Sequence, residues 1–236
     1  MTDQAEGAGL AEGPVLSAST RKALTAPRSA AVAGIVFAVL LGTSLVLLRL
    51  SVPSDLADLD VAQLDTTHRR PILVALTLVP YAGIAFLWFV GVVRDRIGDA
   101  EDRFIATVFL GSGLLFLAML FVSTAVAGAL VISTGSAQAT PNAQVWALGA
   151  HVSSTILNVY AMRMAGVFMI STATISLRTA VMPRWLAYLG YVLAVSLLVG
   201  VGFLKWAELL FPAWVFVVSA YLLVAVRRAD RSTALR

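Results

Sequence analysis

Six long apolar runs, near residues 30–48, 72–93, 104–132, 145–170, 185–204 and 208–226, fill most of the chain. Short polar connectors separate them. An α-helix rises about 1.5 Å per residue, so about 20 apolar residues cross the roughly 30 Å hydrocarbon core of a bilayer. Several of the runs reach that length. Within hydrocarbon a backbone must satisfy its own polar groups, which a helix does segment by segment. The pattern therefore predicts an all-α fold: a polytopic membrane helix bundle with six transmembrane helices.

The polar positions set the boundaries. Residues 1–29 are rich in Gly, Ala and Ser and read as a flexible cytoplasmic tail, residues 30–228 as the transmembrane domain, and residues 229–236 as a second cytoplasmic tail. Arg49 and Leu50 follow the first run where a cleavage site would need small residues, so that run is expected to be an uncleaved first span. Pro80, followed by Gly83, predicts a kink in the second. Thr140 with Pro141, and Pro183, are expected helix starts, and the last helix is expected to begin near Pro212. Gly98 and Asp99 suit the end of one helix and the cap of the next. The longest connector, residues 51–71, holds Asp55, Asp58, Asp60 and Asp65. Leu56, Leu59 and Leu64 allow a short surface helix there, and a plain solvated loop fits equally well. Trp185, Trp206 and Trp214 fit the aromatic belts at the two interfaces.

Composition excludes the soluble alternative. The 236 residues are 59% hydrophobic and only 13% charged, with a mean hydropathy of +0.89. A soluble domain carries about 25% charged residues. The net charge of +4 does not point to nucleic acid, because the basic residues flank the apolar runs and form no separate module. With the N-terminus inside, Arg21, Lys22, Arg28, Arg94, Arg96, Arg103, Arg178, Arg184, Arg227, Arg228, Arg231 and Arg236 face the cytoplasm. Arg49, Arg69, Arg70 and Lys205 face outward, a bias of 12 to 4 that favours cytoplasmic termini. Cysteine is absent, which excludes disulfides and thiolate chemistry. The lipid bilayer is the first expected partner, with a membrane protein or a second copy as further ones; no nucleic acid and no cofactor are expected.

Candidate chemistry concentrates in the fourth run. His151, Ser154, Thr155 and Asn158 recur at three- and four-residue spacing, so they share one helix face, and Arg163 lies further along on a nearby face. Such a stripe is expected to turn toward protein or water rather than lipid. It reads either as the wall of a ligand site, with His151, Thr155, Asn158 and Arg163 as binding candidates, or as plain interhelical hydrogen bonding, the weightier of the two. Arg163 is expected in the inner half of the span, snorkelling to the cytoplasmic surface or pairing with Asp95, Asp99, Glu101 or Asp102. Asp58, Asp60, Asp65 and His68 match no calcium-loop spacing, and a solvated loop is favoured over a metal site. Lys205 and Glu208 can form a local pair. Small residues at Gly111, Gly113, Ala125, Gly128, Ala129, Gly190 and Ala194 allow close helix approach. No HExxH, GxSxG or Walker pattern occurs, and no acid lies within a span, so no catalytic residues are assigned and an enzyme is disfavoured.

Three stretches carry a resemblance: residues 83–96, GIAFLWFVGVVRDR; residues 101–113, through Glu101-Asp102-Arg103-Phe104 to Gly111-Ser112-Gly113; and residues 182–190, MPRWLAYLG. Together they resemble uncharacterised six-helix integral membrane proteins of actinobacteria, over about residues 30–228. The resemblance implies the six-helix architecture and a bacterial plasma-membrane location, and it carries over no catalytic residues. The sequence thus supports a structural or interaction protein, lipid binding being one form of that interaction, against a small-molecule or ion transporter with its polar site on the fourth helix.

Overall fold

The computed structural model describes residues 15–51, 66–97, 103–133, 143–179, 182–200 and 206–234. All regular structure among them is helical. Helix α1 spans Val15–Ser51, α2 Thr66–Ile97 and α3 Arg103–Ser133. The fourth segment is one continuous rod: α4, Ala143–Thr155, a π-helical turn, Ile156–Ala161, and α5, Met162–Thr179. Helix α6 spans Arg184–Val199, and α7 spans Leu210–Ala234 after a 3-10 turn at Ala207–Leu209.

Five segments are long and apolar enough to cross a membrane: Ser29–Leu48, Arg70–Arg94, Arg103–Ile132, Gln144–Thr179 and Ala207–Arg228. The fifth predicted span is the exception. Its apolar run continues to residue 204, but its helix ends at Val199 after 16 residues, with Gly200 as C-cap. The rest of that run, from residue 201, lies outside the described residues. Helix α1 starts at Val15, inside the stretch read as a tail. Helix α7 likewise continues to Ala234. Pro80 and Pro71 both lie inside an unbroken α2. Pro183 sits one residue before α6 with extended backbone, and its carbonyl accepts the N–H of Leu186 at 3.0 Å.

Helix α1 packs most extensively against α2 and α7, while α5 packs on α6 and α3. These contacts meet in an aromatic cluster drawn from five helices. Phe37 lies 4.8 Å from Phe86, Phe86 5.3 Å from Phe168, Phe109 4.8 Å from Phe168, and Phe116 4.8 Å from Phe211, centroid to centroid. All six rings are buried. Most of these pairs are tilted or edge-to-face, the geometry that ring quadrupoles favour. Small residues admit the rings: a Cβ on Gly113 would meet Phe168 at 3.2 Å, and one on Gly190 would meet Trp214 at 3.0 Å.

Trp214 corrects the belt expectation. It is 2% exposed, in the core against Gly190, whereas Trp185 at 58% and Trp206 at 49% are exposed as belt residues would be. Only glycine leaves room for an indole this close to a helix axis. Buried hydroxyls mostly satisfy themselves locally. Ser44, Ser112, Thr172 and Ser176 each donate to a carbonyl four residues back on their own helix, which removes an unpaired donor without needing a neighbour.

Candidate functional site

The fourth segment holds every candidate from the polar stripe, and it has two unlike halves. In α5, Gly166 brings the backbone against α6; a Cβ there would meet the Ala194 carbonyl at 3.1 Å and Leu198 at 3.2 Å. Tyr191 of α6 and Thr174 of α5 share a hydroxyl contact of 2.7 Å. Phe168 and Met169 are fully buried. The α4 half has one principal neighbour, α3. There Ser123 and Ser153 form a reciprocal clasp: each hydroxyl donates to the other's carbonyl at 2.9 Å, with the two oxygens 3.1 Å apart. Leu130 covers Gly149 one turn further on.

Between the halves lies the π turn. The Met162 N–H donates to the Leu157 carbonyl, five residues back instead of four. The wider turn inserts one residue into the helix and rotates the side chains before it relative to those after it, a distortion frequent at functional positions. Asn158 sits in the middle of this turn, half-buried, with no side-chain hydrogen bond to any described residue.

The stripe turns outward. His151, Ser154, Thr155 and Arg163 are all exposed. The chain's own helices therefore do not cover these four residues, and the reason is visible one residue away. Ser153 makes the interhelical contact, so the residues flanking it on the helix circumference point elsewhere. Among the described residues, neither His151 nor Thr155 has a side-chain hydrogen-bond partner, and the Ser154 hydroxyl returns to the His151 carbonyl at 3.0 Å. Apolar Leu148, Val152 and Val159 are exposed among them.

Arg163 lies near the midpoint of the 36-residue apolar segment Gln144–Thr179. Its Nη1 donates to the Val159 carbonyl at 2.9 Å. Side chains on a helix lean toward its N-terminus, and this guanidinium follows that lean back onto the π turn. It therefore points away from the Thr179 end, opposite to the expected snorkelling direction. The register set by the Ser123–Ser153 clasp puts Arg163 level with Gly113 and Leu114 of α3, roughly 15 Å along the helix from Arg103. Among the described residues no carboxylate pairs with it. The side chains of Asp95, Asp99, Glu101 and Asp102 lie outside the described residues, as do Asp58, Asp60, Asp65, Lys205 and the side chain of His68.

Among the described residues an apolar groove of about 500 Å³ lies between α1 and α2, lined by Val32, Val36, Leu40, Tyr81, Ile84 and Trp88 among others. Its walls offer contact to hydrocarbon and little else. Among the described residues, no three metal-ligating side chains gather at one place. The sequence reading missed Ser123, Ser153, Gly166 and Tyr191, which make the helix contacts of this segment. Serine and glycine are too common in apolar helices for any one of them to stand out. No family model, curated protein or solved structure matches the chain.

Proposed function

We propose that this chain is a multi-pass membrane protein of structural or interaction type, resident in a bacterial plasma membrane, whose fourth span offers a polar docking face to neighbours in the bilayer. In this reading α6 is a short sixth crossing, and the 12 to 4 distribution of basic residues puts both termini in the cytoplasm. One observation carries the interaction reading: His151, Ser154, Thr155 and Arg163 of the fourth segment face outward while the bundle centre is closed by the Phe37–Phe86–Phe116–Phe168–Phe211 cluster. A permeation path through the bundle would need polar groups at the centre, and rings occupy it instead. A polar side chain at mid-bilayer costs about 2.5–3.5 kcal/mol on insertion scales for Arg, so an outward one calls for a binding partner.

The second reading, a small-molecule or ion transporter, is favoured by the π turn at Asn158, since such turns mark hinges. Single cysteines introduced at Thr155, Asn158 and Phe116 in the intact chain separate the two. Under the interaction reading, a water-soluble thiol reagent applied from either side leaves Phe116→Cys unlabelled, and crosslinking from Thr155→Cys reaches neighbouring proteins in the bilayer. Labelling of both Asn158→Cys and Phe116→Cys from one side would trace a water path and decide for transport. Reporters fused after residue 228 and within 94–103 should read cytoplasm, and those within 51–70 and 133–144 outside.

A further inference from the structure

We infer that the outward face of the fourth segment, from His151 in α4 to Arg163 at the start of α5, docks a transmembrane helix of a different protein, and that this helix carries an Asp or Glu level with Arg163. The inference rests on the interaction reading above and names the partner's chemistry. Arg163 is exposed near the middle of a membrane-length helix, where a cation is strongly disfavoured without a counter-charge. Its one described partner is the Val159 carbonyl, which fixes the guanidinium on the helix surface and leaves its other N–H donors for an acceptor outside the chain. A fork held in this way presents parallel donors to a carboxylate.

Three further observations define the occupant. Exposed Thr155 and His151 lie roughly 12–18 Å along the helix from Arg163, on its N-terminal side. Exposed Leu148, Val152 and Val159 alternate with them, which makes the face a mixed seam suited to a helix rather than a wet channel wall. The partner helix is therefore apolar, with one acid at mid-bilayer and one hydrogen-bonding residue two to three turns away. A second copy of the chain does not supply that acid. None of its 13 acidic residues lies within an apolar span core, and Glu208, in the turn before α7, is already engaged. A lipid phosphate is the competing acceptor, and the experiment below separates the two.

The full chain, labelled through Val145→Cys in its cysteine-free background, is reconstituted in phosphatidylcholine vesicles at pH 8. Energy transfer to labelled synthetic Leu/Ala transmembrane peptides is then measured, with a central Glu, Gln or Leu. The Glu peptide should associate about tenfold more tightly than the Leu peptide, and Arg163→Leu should erase that preference without changing the melting temperature. Arg163→Lys should retain part of it, because lysine keeps the charge but not the fork. Equal association of the Glu and Leu peptides, with Thr155→Trp weakening both, overturns the acidic partner and leaves the docking face standing. A Glu preference that survives Arg163→Leu overturns the pairing. Self-association of labelled chain that Arg163→Leu abolishes assigns the face to a second copy, and loss of the Glu preference on adding phosphatidylglycerol assigns Arg163 to lipid; either overturns the inference. Failure of the interaction reading itself shows separately, as thiol labelling at Phe116→Cys.

Discussion

The two halves of the fourth segment share one continuous helix and similar polarity, yet they are used differently. In the middle of α5 the hydroxyls are drawn inward: Ser171, Thr172 and Ser176 are buried, and each returns its proton to its own helix. In α4, His151, Ser154 and Thr155 point outward. What differs is the neighbourhood. Helix α6 seats on α5 through Gly166 and Thr174, while α3 is the main helix beside α4. A polar residue in a membrane-length helix therefore does not by itself mark the inside. Its direction depends on which neighbours reach its level.

The contrast can be broken first at the cluster. Phe168→Ala removes a fully buried ring that touches Phe86, Phe109 and Phe211. It should lower unfolding free energy by about 3–5 kcal/mol, read by denaturation in a fixed detergent. Next is Gly166→Leu, which forces a side chain against the Ala194 carbonyl. Overpacking of this kind should cost about 1–3 kcal/mol, and an equal loss from Leu148→Phe on the exposed side would abolish the distinction between the halves. The Ser123–Ser153 clasp tests the one strong tie of α4. A double-mutant cycle to Ala should give a coupling of about 0.6–2 kcal/mol. The smallest effects should come from Thr155→Leu and Asn158→Leu, each within about 0.5 kcal/mol, because neither side chain has a described hydrogen-bond partner to lose. A large destabilisation by Asn158→Leu would show that the π turn depends on that amide.

The apolar runs anticipated where helices lie, and the small pair Gly190 and Ala194 anticipated a packed face of α6, which receives Trp214 and Gly166. Facing was much less legible. A soluble helix advertises its inward side by apolar periodicity, but here both the protein-facing and the outward sides are apolar, so Ala125 and Ala129, read as packing residues, lie exposed. The π turn was invisible because it is a property of hydrogen-bond register, and Ile156–Ala161 contains no Gly or Pro to announce it. Trp214 was misplaced because interface and core both accept an indole, and the deciding feature, Gly190, is distant in sequence. The polar stripe was found as a stripe; its outward direction depended on Ser153, whose partner on α3 no spacing rule identifies.

Helix α6 also bears on the lipid around the bundle. Its 16 residues rise about 24 Å, roughly 6 Å less than a typical hydrocarbon core. With α6 as the sixth crossing proposed above, its exposed flank, which includes Tyr188, Val192 and Val195, would ask the adjacent acyl chains to shorten, at a cost of fractions of a kcal/mol for each ångström. Helices α2 and α3 are each long enough to span without that adjustment. On that reading the bundle would be of unequal hydrophobic height. It should gather short-chain or disordered lipid on one side and favour thin membrane regions over thick ones.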